Sequence, residues 1–504
     1  MESIEYYKKM AGDDYPKIRH FCLMNDLLEY SKNEFKDRVA ISWLNNEKSY
    51  IDLYKDVART RKIFIDAGIK KGMNVGLIFK NDYNFIKSFF ALTTLGAVAV
   101  IISPILPAMA LLGSIKKFDT AYIVYGPEVK DTLLSLHLNI PLISYLDLDE
   151  NNGFAPADLS VDKEDPAAIL YTGGTTGTPK GAILSHRALL RGSYNGCFGE
   201  GQIFFNKYMV LIPFFHVFGL VRNLLSSINT GSNAYLVSEM MHFIKEIKDA
   251  KPNVMIIVPA LANLIFSIVS QHGIEAVGGK LEYIICGGAH VTPDLIKRLG
   301  SVGIKLCPGY GLTETANLVS GSINYLDKPE SVGIVYPEQE VKLVNNEIYI
   351  KGDNLFSGYY NDPGETKNVM SEDGYLKTGD LGRFDEDGFL YITGRNKNII
   401  VLDNGENISP EILEDKLDNV PLINSSLIYE DKNEKGRGII AAKIYPNYQA
   451  LEKLGYNDVN KAIQNIVDKI NANVPPFMRI SKITILKEDF KRSGSMKIIR
   501  QANI

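Results

Sequence analysis

YTGGTTGTPKG, residues Tyr171 to Gly181, places four glycines, four threonines and one lysine in eleven positions. It follows PAAIL (Pro166 to Leu170), an apolar run that reads as a buried strand. Glycines let a backbone approach a ligand closely with its amides turned toward it. Threonine hydroxyls add donors, and Lys180 adds a cation. This is chemistry for holding polyphosphate at the end of a strand. It is not a Walker A loop, because no glycine stands five residues before a Gly-Lys-Ser/Thr triplet. Alone, the composition also fits a plain Gly/Thr-rich turn.

The surroundings of this turn set the fold class. Strand-like runs alternate with helical stretches: NVGLIF (74–79), VAVIIS (98–103), AYIVYG (121–126), AAILYT (167–172), YMVLIP (208–213), NAYLVS (233–238), VMIIVP (254–259) and LEYIIC (281–286). Amphipathic candidates such as Met241 to Ala250 and Thr292 to Leu299 lie between them. The alternation predicts layered α/β structure with mainly parallel sheets. After about Glu340 the texture turns to β hairpins, with an Asp387-Gly388 turn between two strand-like runs. Near Arg395 it shifts again. Helix Pro410 to Asp418, strands 425–428 and 439–444, helix Asp458 to Ala472 and strand 482–485 predict a small α+β domain. The expected division is 1–396 and 397–504. The charged stretch Glu430 to Arg437 reads as a solvated hairpin loop.

Bulk properties exclude several classes. A chain of 504 residues is too long for one core. A net charge of −4 gives no sign of nucleic-acid binding. Four scattered cysteines without a CxxC pair argue against disulfides and zinc and fit a reducing, cytoplasmic setting. The N-terminus is polar, without the apolar run of a signal peptide. Residues Ser88 to Ile115 carry no charge, but Gly96, Pro104 and Pro107 interrupt them. A buried helix (Tyr83 to Leu95) followed by a buried strand explains them better than a membrane span.

Further motifs follow in a fixed order. GYGLTET (Gly309 to Thr315) supplies an aromatic face, hydroxyls and a carboxylate. TGD (Thr378 to Asp380) offers a carboxylate able to accept both hydroxyls of a ribose. GRNKNIIVLDNGENISPEILE (Gly394 to Glu414) spans the texture change, and KRSGSMKIIR (Lys491 to Arg500) closes the chain. Together with the Gly/Thr turn, this order resembles the acyl-adenylate-forming superfamily: acyl-CoA synthetases, stand-alone adenylation enzymes and luciferases. The resemblance covers nearly the whole chain.

The resemblance implies a two-step reaction. A carboxylate attacks the α-phosphate of ATP, giving acyl-AMP and pyrophosphate, and a thiol then takes the acyl group and releases AMP. It assigns Thr172, Gly173, Gly174, Thr175, Thr176, Gly177 and Lys180 to the phosphates, Glu314 to Mg²⁺ and Thr313 to the α-phosphate. Tyr310, with Gly311 beside it, would stack on adenine against a wall of Gly287, Gly288 and Ala289. Asp380, helped by Arg395, would clamp the ribose. Lys497 would bridge carboxylate and α-phosphate, although Met496 stands where the family commonly has glycine and Lys491 where proline is usual. Lys397 would mark the hinge of a mobile small domain whose loop, including Gly405, takes the tail's place in the second step.

PFFHVFGL (Pro213 to Leu220) resembles the segment lining the acid pocket, with His216 near the carboxylate. Val217, Phe218, Gly219, Val258, Pro259, Ala260 and Gly288 would form the wall. The segment lacks a counterpart of the aspartate that amino-acid-activating relatives use, so an apolar acid is expected. Asn404-Gly405 look more like fatty acyl-CoA synthetases than aryl-acid ligases. Coenzyme A is the expected acceptor, and Arg437 and Gly438 are candidates to touch it. A carrier protein acting in trans is the alternative, and a catalytically degenerate nucleotide-binding relative is a third reading. The length of the acid and the oligomeric state are not legible.

Overall fold

Each of the eight apolar runs between residues 74 and 286 contains a strand. Most strands are shorter than the runs, for local reasons. VMIIVP stops pairing at Ile257 because Pro259 opens helix Pro259–His272, where the missing N–H costs nothing. The computed structural model describes residues 3–149, 153–172, 180–199, 201–321, 326–401, 407–433, 437–456, 458–491 and 498–504.

Two large sheets carry the first part of the chain. In the seven-stranded sheet the order is Gly358–Tyr359, Lys180–Ser185, Pro166–Thr172, Val98–Ile101, Asn74–Ile78, Tyr122–Tyr125, Leu142–Ser144. Its last five strands run parallel. Lys180–Ser185 returns antiparallel to Pro166–Thr172, with Thr172 opposite Lys180, so the two strands that flank residues 173–179 form a hairpin pair. In the nine-stranded sheet, Lys305–Tyr310, Tyr283–Cys286, Val254–Ile257, Lys207–Val210, Asn233–Leu236 and Val39–Trp43 lie side by side and parallel. Helix Tyr83–Thr94 is buried all round except at Asn84 and sits in the core that joins the two sheets, with Ile86, Phe89, Phe90 and Leu92 fully buried and Lys87 donating to the Leu148 carbonyl at 3.1 Å. Burial on every face explains the uncharged run from Ser88. Among the described residues, no helix is long and apolar enough to cross a membrane.

The β-rich part is an antiparallel sheet of Gln339–Val344, Glu347–Gly352, Leu376–Phe384 and Leu390–Arg395. From Ile400 onward the side chains build a core of their own around Leu413, Leu417, Ile428, Ile444, Ile463 and Val467. There, helices Pro410–Asp418 and Val459–Ala472 accompany a sheet of Ile423–Lys432, Gly438–Pro446 and Ile480–Ile485. The charged stretch 430–437 is only partly loop: the strand continues to Lys432. Arg500 pins the chain end, with Nη2 2.5 Å from both oxygens of Glu414 and Nη1 2.8 Å from the Ile428 carbonyl.

Helix His186–Gly196 begins directly after the hairpin, capped by Ser185, whose hydroxyl accepts the Ala188 N–H at 3.1 Å. His186 is 1% exposed, and its Nδ1 accepts the Met24 N–H at 3.4 Å. Burial holds its pKa down at about 4, below the ordinary 6.5. Unfolding therefore takes up a proton between these values, and stability is lost as pH falls from 6.5 toward 4. At about 1.4 kcal/mol per unit, the loss approaches roughly 3 kcal/mol. His186→Gln should flatten the slope of unfolding free energy against pH in that window, measured by urea denaturation.

Candidate active site

Four neighbouring parallel strands of the nine-stranded sheet end in segments singled out from the sequence. Lys305–Tyr310 runs into GYGLTET, Tyr283–Cys286 into Gly287-Gly288-Ala289, Val254–Ile257 into Val258-Pro259-Ala260, and Lys207–Val210 into PFFHVFGL. Carboxyl ends of parallel strands are where such sheets bind ligands. Gly288 has φ +80°, a conformation that side chains rarely adopt. At Gly311 a Cβ would overlap the Asn317 carbonyl, so the backbone there closes onto itself only without a side chain.

The cluster around Asp380 is the most fully determined part. Asp380 is 2% exposed and ends its hydrogen-bonding reach on two partners from different sheets. Tyr310 donates its hydroxyl to Oδ2 at 2.8 Å, and Arg395 Nε meets Oδ1 at 2.8 Å. Arg395 stands opposite Asp380 across the strand pair. Burial, then the neighbouring Asp380, push the Tyr310 phenol well up, and Asp380 raises Arg395. A carboxylate has about four lone-pair positions, so hydroxyl donors can still be accepted.

Glu314 lies in the short helical turn Thr313–Thr315, four residues past Tyr310, with Thr313 half-buried beside it. Its Oε1 accepts the Tyr359 hydroxyl at 2.6 Å. Tyr359 pairs with Ala182 on the returning hairpin strand. Lys180, at the head of that strand, is 5.1 Å from the Tyr359 ring centroid and forms an ion pair with Glu365. Thr172 is buried at the other hairpin edge. Thus one end of the site carries Tyr310, Asp380 and Arg395, and the other Glu314, Thr172 and Lys180. Gly173, Gly174, Thr175, Thr176, Gly177, Gly405, Met496 and Lys497 lie outside the described residues. Lys397 is exposed just beyond Arg395 and lends a smaller pull to that of Lys180 in lowering the Glu365 carboxyl. Arg437 is exposed, its N–H on Asn433 Oδ1 at 3.0 Å.

Among the described residues, no group of three or more His, Cys, Asp or Glu side chains could hold a metal by itself, and no cation pairs with Glu314. A lone carboxylate facing a phosphate site suits Mg²⁺, which keeps few protein ligands and shares phosphate oxygens.

Past strand Lys207–Val210, His216 is half-buried and packs against Phe215, its backbone N–H donated to the Pro213 carbonyl at 3.0 Å. Val217 is buried, and Phe218 and Gly219 start a π-helical segment, Phe218–Leu225, a form frequent at functional sites. The Phe218 ring lies beside the glycine wall: a Cβ on Gly287 would be 3.5 Å from its Cε1 and Cζ. Val258 and Pro259 are half-buried, and Ala260 and Ala289 exposed.

Contacts that the sequence did not disclose complete the arrangement. Asn81, from the other sheet, donates to the Ile212 carbonyl at 2.9 Å and accepts the Phe214 N–H at 2.8 Å. Its carboxamide thereby holds the segment leading to His216 as a neighbouring strand would. His290 Nε2 lies 3.4 Å from Asp415 Oδ2, linking the glycine-wall loop to helix Pro410–Asp418. Only the Asn, His and Asp residue types hint at such roles; spacing does not.

The sequence pattern of the AMP-binding enzyme family matches residues 28–360, and that of the AMP-binding enzyme C-terminal domain matches residues 397–504. A 2-succinylbenzoate–CoA ligase of Bacillus cereus (strain Q1) is 26% identical over 490 residues, covering 92% of this chain and 95% of its own. The 4-coumarate:CoA ligase 1 of Petunia hybrida is 24% identical over 512 residues, covering 93% and 91%. The solved o-succinylbenzoate CoA synthetase of Bacillus subtilis, in complex with its acyl-adenylate intermediate, superposes with a TM-score of 0.82 at 20% identity, covering 94% of this chain and 97% of its own. From the Gly/Thr hairpin to the tail, the chain belongs to the AMP-binding enzyme family.

Proposed function

We propose that this protein is an ATP- and Mg²⁺-dependent, AMP-forming acid–thiol ligase that activates a compact apolar carboxylic acid and passes the acyl group to coenzyme A. The observation that carries the reading is the polarity of the site. Base and ribose groups (Tyr310, Asp380, Arg395) stand at one end and phosphate groups (Glu314, Thr172, Lys180) at the other, beside the apolar wall of Val217, Phe218 and Val258. A carboxylate oxygen bonded to the α-phosphorus displaces pyrophosphate. The coenzyme A sulfur then bonds to the acyl carbon, and AMP leaves with the former carboxylate oxygen.

Each residue has a part. Asp380 accepts the ribose hydroxyls, and Arg395 and Tyr310 keep it aimed. Lys180 and the Gly/Thr turn hold the departing phosphates, which fixes the geometry on which phosphoryl transfer depends. Glu314 would hold Mg²⁺, which neutralises phosphate charge when bound. His216 lies at the acid's carboxylate. Lys497 would stabilise the charge gathering on the α-phosphorus in the first step, and a pivot at Lys397 would separate the regions 1–396 and 397–504 for the second.

The acid is the finer question. Relatives named for 2-succinylbenzoate and 4-coumarate point to aryl-bearing acids, whereas Asn404-Gly405 favour a fatty acid. The Phe218 ring against Gly287 supports a short pocket, so an aryl or short-chain acid fits better than a long acyl chain. No carrier-protein reading gains support from a specific contact.

Acid-dependent exchange of labelled pyrophosphate into ATP across a panel of aryl and aliphatic acids tests the reading, with coenzyme A added to reveal AMP and thioester. No exchange with any acid would refute it. Lys497→Ala should abolish exchange yet spare thioester formation from supplied acyl-AMP. Asp380→Asn should lower kcat/KM for ATP roughly 10- to 100-fold, the worth of charged hydrogen bonds. Phe218→Ala should raise kcat/KM roughly tenfold for acids longer than the wild-type optimum. An unchanged length profile would remove Phe218 as the pocket floor.

A further inference from the structure

One short segment, residues 358–365, holds both of the charged groups expected to meet the nucleotide's phosphates. Tyr359 reaches Glu314, and Glu365 reaches Lys180. Tyr359 itself has little freedom. It is 9% exposed, its N–H is donated to Thr366 Oγ1 at 2.8 Å, and its ring meets Phe356 edge-on at 4.9 Å between centroids. The Lys180 ammonium lies over the ring, and Glu365 anchors that ammonium from the first turn of helix Pro363–Val369. The phenol is therefore fixed before any ligand arrives. The Glu314 backbone is held as well, its carbonyl accepting the Phe356 N–H at 2.9 Å. Only the rotation of the Glu314 carboxylate remains to be set, and the Tyr359 hydroxyl sets it by taking Oε1.

We propose that Tyr359 is a positioning residue for the divalent cation that accompanies the nucleotide: by occupying one oxygen of Glu314, it turns the other toward the phosphates. This rests on the reading of Glu314 as the metal carboxylate. Groups that hydrogen-bond a metal-ligating side chain typically contribute 10- to 100-fold in metal affinity. The ring of phenylalanine keeps the contacts with Phe356 and Lys180, so Tyr359→Phe removes the hydroxyl and little else.

The test measures Mn²⁺ binding by the loss of its free electron paramagnetic resonance signal, using full-length protein saturated with a non-hydrolysable ATP analogue. Tyr359→Phe should weaken Mn²⁺ binding about tenfold, leave affinity for the analogue without metal unchanged, and melt close to wild type. In pyrophosphate exchange with an accepted acid, half-saturating Mg²⁺ should rise by a similar factor while kcat at saturating Mg²⁺ is kept. Added to Glu314→Gln, it should cost nothing further, because the oriented group is already gone. Wild-type Mn²⁺ affinity in Tyr359→Phe, with Glu314→Gln impaired, overturns the proposal and leaves the reading of Glu314 standing. Wild-type affinity in Glu314→Gln overturns both.

Discussion

A charge sealed from water must be answered within hydrogen-bond reach, and Asp380 is such a charge. With 2% of its surface exposed, an unpartnered carboxylate would cost several kcal/mol. Its two answers come from different places: Tyr310 from the end of a parallel strand in the nine-stranded sheet, Arg395 from the antiparallel strand beside it. Satisfying one buried ion thus fastens the β-rich part to the parallel sheet. It also sets the orientation of the strand from which the last hundred residues depart. Glu314, four residues from Tyr310, inherits its position from the same strand end.

Much of this was written locally in the chain. The apolar runs mark their strands because both faces of those strands are buried, as at Val254–Ile257 and Tyr283–Cys286. Helix Pro410–Asp418 starts where its sequence predicts, since Pro410 fits its first turn. Asp387-Gly388 makes its turn, with Gly388 at φ +86°. Strand Val39–Trp43 went unseen: five residues without alternation give no period to detect, and its place is decided by pairing with Ala234 and Tyr235 nearly two hundred residues away.

The site divides in the same way. Tyr310, Glu314 and Asp380 sit in motifs whose composition advertises chemistry. Tyr359 and Asn81 do not, because each acts through a contact 45 or more residues distant in sequence. Asn81 shows the limit well. In sequence it is a polar residue before a helix, one step from the Asp82 cap. Only the approach of the second sheet turns its carboxamide into the bracket for Ile212 and Phe214. Phe214 in turn stacks on Phe85 from the same helix, with centroids 5.0 Å apart, so the segment leading to His216 is set by the junction of two layers.

Arg395 grips the buried carboxylate from the final position of its strand, and the exposed turn Asn396–Asn398 follows at once. The guanidinium and the turn are therefore neighbours on one backbone. If the C-terminal part turned about these residues, a ligand that held the guanidinium better in one posture than in the other would bias the turning by that difference in free energy.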